Sequence, residues 1–246
     1  MHGAYTAAWC WEEHFLPFFA AAGFHCLAPS LSGHGGSRGR ERLDQLSIDD
    51  YVADLVETVA PLPAPPVLIG HSMGGFVVQK YIERHPAAGA VLMCSVPPQG
   101  LAAPAFGMLF GRPRLFADLN RLMGGGAVAA DSLAEALFAQ PVAPEALARY
   151  LRLAQPESHR AIWDMMLFNL PRPEKVLAHL PRGRADLRVV GAERDLIIPA
   201  SLVEMTARSY GVAATIHRGM GHGLMLERDW RTVAQDILDW LTSRAK

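Results

Sequence analysis

Pro66-Val67-Leu68-Ile69-Gly70-His71-Ser72-Met73-Gly74-Gly75 is the stretch from which the chain is read. An apolar run ends in Gly-x-Ser-x-Gly and passes at once into a helical pattern, which predicts a strand, a sharp turn and a helix. A serine on such a turn is pushed out above the end of the sheet in a strained backbone conformation. Gly70 and Gly74 fit because any Cβ there would collide with the neighbouring strand and helix. A helix starting near Met73 aims its free N–H groups and its positive dipole end at Ser72, where an oxyanion would be held. A glycine-rich turn with an incidental serine would carry the same residues, so the rest of the chain decides.

Outward from this turn, apolar strand-like runs alternate with helical stripes. Towards the N-terminus, residues 9–22 read as one helix with Trp11, Phe15, Phe18 and Phe19 at helical spacing, closed by Gly23. Residues 24–28 read as a short strand, and 29–42 as a loop holding Gly33-His34-Gly35-Gly36-Ser37. Ser47 caps a helix whose stripe is Ile48, Tyr51, Val52, Leu55, Val56 and Val59, with Asp49 and Asp50 in its first turn. Towards the C-terminus, a helix over 74–84 and a buried strand over 89–94 follow. Residues 187–191 and 213–217 read as further strands, and 199–210 as a helix with Pro199 in its first turn. Trp230, Val233, Ala234, Ile237, Leu238 and Leu241 form the stripe of a closing helix.

The alternation implies an α/β fold, a parallel doubly wound sheet with helices on both faces. It is interrupted once. From 97 to 180 the chain holds Pro97-Pro98, Gly124-Gly125-Gly126, several helical segments and no strand pattern. This stretch is rich in large apolar side chains: Phe106, Met108, Leu109, Phe110, Phe116, Met123, Phe138, Trp163, Met165, Met166 and Phe168. It reads as a helical insertion, mostly packed helix to helix and in part lining a pocket. The expected organisation is therefore a core of 1–96 and 181–246 with a helical cap of 97–180.

Composition excludes several classes of function. Half of the residues are apolar and the formal net charge is −1, with no run of like charges. Neither nucleic acid nor an anionic membrane surface is an expected partner. The three cysteines, Cys10, Cys26 and Cys94, lack metal-binding or redox-pair spacing, and Cys26 and Cys94, in apolar strand-like runs, read as buried thiols. No charged start with an apolar stretch marks a signal peptide, and no apolar run spans a bilayer, so the expected location is the cytoplasm. Nothing in the sequence specifies an oligomeric state.

Ligands bind such sheets beyond the carboxyl ends of the strands. Ser72 is at one such end. A serine hydroxyl needs a base to take its proton, and the base needs an orienting group. The loop after Gly191 carries Glu193-Arg194-Asp195, and the loop after the last strand carries Gly219-Met220-Gly221-His222-Gly223. Asp195 is favoured over Glu193 and Asp186 by its place between the strand and Pro199. His222 is favoured over His34 and His71, which also lie in glycine-rich loops, and over His2 in the opening loop; those three read as structural hydrogen bonders.

Together, His2-Gly3-Ala4, Gly33-His34-Gly35-Gly36-Ser37, Gly70-His71-Ser72-Met73-Gly74-Gly75, 191–199 and Gly221-His222 run in an order and spacing that resemble the α/β-hydrolases of the serine-hydrolase, esterase-like branch. The resemblance implies that Ser72 is the nucleophile, His222 the general base and then acid, and Asp195 the orienting carboxylate. It places the oxyanion donors at the backbone N–H groups of Ala4 and Met73, and it matches the insertion to the family's cap. The implied activity is hydrolysis of a small or medium carboxylic ester, or a similar acyl compound, through an acyl-enzyme. The implied partner is a small acyl substrate, with no metal and no cofactor. The same triad also serves carbon–carbon bond hydrolases and cofactor-free perhydrolases, and some relatives are non-catalytic ligand-binding proteins. His-Gly-Ala with Trp9 and Trp11 is similar to the methylesterase and hydroxynitrile-lyase branch, but Gly223 stands where those lyases carry a lysine.

The chain departs from the family pattern in two places. Ser30 replaces a frequent aspartate, which changes a local hydrogen bond. In the family, a strand runs into the His-Gly loop and two more precede it, a length of roughly 20–30 residues. Here the sequence begins at Met1-His2. The expectation is a chain short at its N-terminus, with either a slot roughly 9–10 Å wide between residues 24–28 and the strand at Val67 or a slid-over pairing.

Overall fold

The structure is a computed structural model that describes residues 1–102, 105, 111–123, 126, 128 and 130–244. Its centre is a parallel sheet of β1 (Val67–His71), β2 (Gly89–Met93), β3 (Leu187–Ala192) and β4 (Ala214–His217), in the order β1-β2-β3-β4. Gly70 lies opposite Leu92, Leu92 opposite Val189, and Val189 opposite Ala214. β2 is buried along its whole length, as expected for a strand covered on both faces. Ala90 and Leu92 join one core cluster with Tyr51, Phe76 and Tyr210, whereas Val91 and Met93 join a second with Phe15, Val233 and Ile237.

The helices α1 (Trp9–Glu12), α2 (Phe15–Ala21), α3 (Ile48–Val59) and α4 (Met73–Ile82) come from the first half of the chain. Ser47 and Asp50 form a capping box at α3: Ser47 Oγ accepts from Asp50 N at 3.2 Å, and Asp50 Oδ2 accepts from Ser47 N at 2.8 Å. The single helix expected over 9–22 is two, broken at His14, whose φ of −141° is not helical. Beside the break, Glu13 pairs with Arg149 of the insertion.

Between β2 and β3 the chain forms α5 (Pro113–Met123), α6 (Ala130–Leu137), α7 (Pro144–Leu153), α8 (His159–Trp163), a π-helical turn (Asp164–Phe168) and α9 (Pro173–Ala178), with no strand among the described residues. Phe106, Met108, Leu109 and Phe110, together with Gly124 and Gly125, lie outside the described residues, as does the side chain of Met123. Buried polar bonds tie this insertion to the start of α3. Tyr51 OH donates to Glu157 at 2.6 Å, and Ile48 N donates to Asp164 at 3.0 Å. α10 (Ala200–Tyr210), with Pro199 as its N-cap residue, and α11 (Trp230–Ser243) complete the layers.

Residues 24–28 are not a strand. A strand needs a neighbour, and the edge of β1 away from β2 is paired at one residue only, by Met1 and not by 24–28. Met1 donates from its amino group to Ile69 O at 2.5 Å and accepts from His71 N at 3.1 Å, the pairing of one residue in a parallel ladder. By the same alternation, Ile69 N–H and Val67 C=O face a groove of about 300 Å³, lined by Phe24, Leu27, Leu55 and Val59 among others. Phe24 and Leu27 are exposed there, and Cys26, expected to be buried, is half-buried. Beyond Met1 the slot is thus open, and among the described residues no slid-over pairing closes it.

Candidate active site

Ser72 follows the last residue of β1 and precedes the first residue of α4. Its φ of 53° and ψ of −120° lie in a region that side-chain-bearing residues rarely occupy. Close packing around the turn explains its glycines. A Cβ on Gly70 would come within 2.5 Å of Gly74 O, and one on Gly74 would overlap the carbonyls of Met1 and His2. The strain at Ser72 is held in place because β1 pairs with β2 below it and Ser72 N donates to Met93 O at 3.0 Å.

His222 and Asp195 are brought together at the same end of the sheet. His222 Nδ1 donates to Asp195 Oδ2 at 2.8 Å, and both side chains are buried. Asp195 Oδ1 accepts from Ile197 N and Ile198 N, each at 2.8 Å. Burial opposes the charge on Asp195. The His222 ring, the Ile198 N–H and the Cys94 thiol outweigh it and hold the carboxyl below its ordinary value. With Nδ1 committed to Asp195, Nε2 is the nitrogen left for proton transfer. His222 and Ser72 line one cavity, although no direct hydrogen bond joins them among the described residues. Glu193 is exposed and accepts from Gly219 N, and Asp186 is paired with Arg182 and Arg244, so neither competes with Asp195.

Ala4 and Met73 line the same cavity. Among the described residues, neither of their N–H groups donates to a protein acceptor. Tyr5, next to Ala4, has a φ of 63°. The loop holding Ala4 is fixed by His2, which is completely buried. Burial, with His34 nearby, lowers the His2 pKa to about 3. As a neutral ring it donates from Nδ1 to Gly3 O at 2.9 Å and accepts from Leu31 N on Nε2 at 3.0 Å. His34 is buried with Nδ1 on Ser32 O at 3.0 Å and Nε2 at 3.1 Å from Glu157. His71 donates from Nε2 to His222 O at 2.8 Å. These three histidines therefore act as structural hydrogen bonders.

Two groups lie at the site that the sequence does not assign to it, although Cys94 reads there as a buried thiol. Cys94 directly follows β2 with a φ of 41°, and its thiol lies near Asp195. Burial and the adjacent carboxylate push that thiol well above its ordinary pKa. One ligand-type atom each of Cys94, Asp195 and His222 lies within 4.8 Å of the others. His222 Nδ1 is already committed to Asp195 Oδ2, and the buried sulfur keeps its proton, so the three do not present a ready set of metal ligands. Glu227 is the second group. It is buried and accepts from Gly221 N, beside His222. Only the order of the strands and the path of the insertion bring either group to the site, so spacing along the chain carried no signal for them.

The cavity in front of Ser72 holds about 600 Å³. Phe116, Leu137, Phe138, Leu147, Met165 and Met166 of the insertion form much of its wall. No Asp, Glu, Lys or Arg lines it among the described residues. Trp163 lines it while remaining largely exposed, whereas Phe168 is 74 % exposed and takes no part. No helix among the described residues is long and apolar enough to cross a membrane.

The family model described as "Alpha/beta hydrolase family" matches residues 1–236. A monoacylglycerol lipase of Mycolicibacterium smegmatis is 27% identical over 249 residues, covering 94% of this chain and 82% of that protein. Norfluorocurarine synthase 1 of Strychnos nux-vomica is 32% identical over 111 residues, 43% of this chain and only 41% of its own length. The solved structure of polyneuridine aldehyde esterase superposes with a TM-score of 0.74 at 22% identity, covering 97% of this chain and 96% of that one. At that identity the likeness speaks for the fold.

Proposed function

The chain belongs to the alpha/beta hydrolase family, and from that premise we propose that it hydrolyses carboxylic esters through an acyl-enzyme on Ser72. One observation carries the reading. A serine in a strained strand-to-helix turn shares an apolar cavity with a histidine whose far nitrogen is bonded to a buried, ionised aspartate. In this reading His222 Nε2 takes the Ser72 proton as Oγ attacks the ester carbonyl, and the Ala4 and Met73 N–H groups receive the oxyanion. His222 then gives its proton to the leaving alcohol. Water, deprotonated by the same nitrogen, attacks the acyl-serine and releases the acid. Asp195 stays ionised throughout and holds the imidazole in the tautomer that presents Nε2.

The cavity wall supports an uncharged substrate with a small or medium apolar acyl part. With no ionic side chain among the described lining residues, a charged substrate would enter without a partner for its charge. The names of the monoacylglycerol lipase and the polyneuridine aldehyde esterase agree with an ester as the reacting group. The helical stretch 97–180 is read as a cap over this cavity, and the cytoplasm as the place of action. Hydrolysis of nitrophenyl esters by the purified chain and by Ser72→Ala tests the reading. The wild type should turn over, and the variant should lose on the order of 10⁴ in kcat. A variant that keeps most of the activity overturns the assignment.

A further inference from the structure

Glu227 has no part in the steps above, yet its carboxylate is completely buried and makes no ion pair among the described residues. A buried carboxylate without a cation is costly unless hydrogen bonds replace its water. Here three main-chain N–H groups do so. Gly221 N and Ala139 N donate to Oε1 at 2.6 and 2.7 Å, and Gln140 N donates to Oε2 at 3.1 Å. One donor immediately precedes His222. The other two follow α6, where Leu137 and Phe138 form part of the cavity wall.

The far side of His222 is tied to the same stretch, because Gly223 N donates to Leu137 O at 2.7 Å. The approach is close enough to exclude side chains. A Cβ on Gly221 would come within 2.7 Å of Ala139 N, and one on Gly223 within 2.9 Å of Phe138 Cε1. The backbone on both sides of the base is thus clamped to the wall of the cavity, once directly and once through Glu227.

We propose that Glu227 is a positioning residue for the general base, setting the loop of His222 against the 137–140 wall so that Nε2 is aimed at Ser72. This rests on the reading of His222 as base. A displacement of the base by about 1 Å can cost on the order of 100-fold in rate. Substrate binding should change little, since Glu227 does not line the cavity.

The test compares Glu227→Gln and Glu227→Asp with the wild type on one nitrophenyl ester, with melting temperatures measured alongside. Glutamine offers one acceptor oxygen where the carboxylate offers two. Aspartate keeps the charge on a shorter arm. For Glu227→Gln we expect kcat to fall roughly 10- to 100-fold with KM within about twofold, and the rate of fluorophosphonate labelling to fall in step. Aspartate should recover part of the loss. The proposal is overturned if a folded Glu227→Gln keeps its kcat, if KM alone rises, or if both variants are simply unfolded at the assay temperature. The last result would make Glu227 a stability residue. Failure of the ester-hydrolase reading itself shows separately, as unchanged turnover in Ser72→Ala.

Discussion

His71 Nε2 donates to the carbonyl oxygen of His222 at 2.8 Å, and the two rings stand 4.6 Å apart. The residue before Ser72 thus holds the backbone of His222. Burial, with His222 close by, lowers the His71 pKa to about 3, so this ring remains a neutral donor at any pH where the enzyme would work. His71→Ala should lower kcat by about 10- to 100-fold through misplacement of His222, while leaving KM nearly unchanged. Steady-state kinetics on one ester check this, and an unchanged kcat would contradict it.

Stability should fall as pH falls. His2 and His71 are held neutral by burial, each with a pKa lowered to about 3. The Met1 amino group is likewise lowered, to about 5. In the unfolded chain these groups take up protons at their ordinary values, about 6.5 for histidine and about 8 for the amine. The unfolded state therefore binds more protons across the intervening range, and folding stability declines from about pH 8 downward, more steeply below about 6.5. Asp195, held below its ordinary value, adds a loss of the same sign only near and below about pH 4. Urea denaturation at pH 8, 6.5 and 5 measures the slope, and a flat profile would refute it.

The thiols should separate by reactivity. Cys10 and Cys94 are buried, with pKa pushed up to about 12 for the first and well above its ordinary value for the second. Cys26 is half-buried beside the open groove. A thiol-specific reagent should modify Cys26 first in the native protein and reach the other two only after denaturation. Mass mapping of the modified peptide reads the outcome, and rapid native modification of Cys94 would contradict the packing around Asp195.

The groove beside β1 gives a stability prediction. An extended segment of about five β-branched residues fused ahead of Met1 would continue the parallel ladder that Met1 begins. It would pair Ile69 N–H and Val67 C=O, cover Phe24 and Leu27, and turn the buried amino group into a peptide bond. The melting temperature should rise by several degrees, at about 2–4 °C per kcal/mol for a chain of this size. An unchanged melting temperature, with the extension susceptible to protease, would show that the groove does not take a strand.

Much of the site was legible because its parts are local. Gly70, Gly74 and Ser72 define the turn by themselves, and the motif order places Asp195 and His222 after their strands. The choice of Asp195 over Glu193 is positional; Asp195 contacts His222, and Glu193 accepts from Gly219 N. Residues 24–28 have the apolar character of a strand without the state, since strand formation depends on a neighbour that sequence pattern does not supply. The break at His14 was hidden for a related reason: Glu13 there pairs with Arg149 of the insertion. Cys94 against Asp195, and Glu227 against Gly221 and Ala139, depend on strand order and on the path of the insertion. No local pattern encodes either.

The most direct measurement of the central claim is to map where a fluorophosphonate attaches. Treating the chain with the probe, digesting it and sequencing the modified peptide should place the adduct on Ser72, with labelling abolished in Ser72→Ala and strongly slowed in His222→Ala. A chain that stays unlabelled, or that carries the adduct on another residue, would contradict a serine activated by His222 and Asp195.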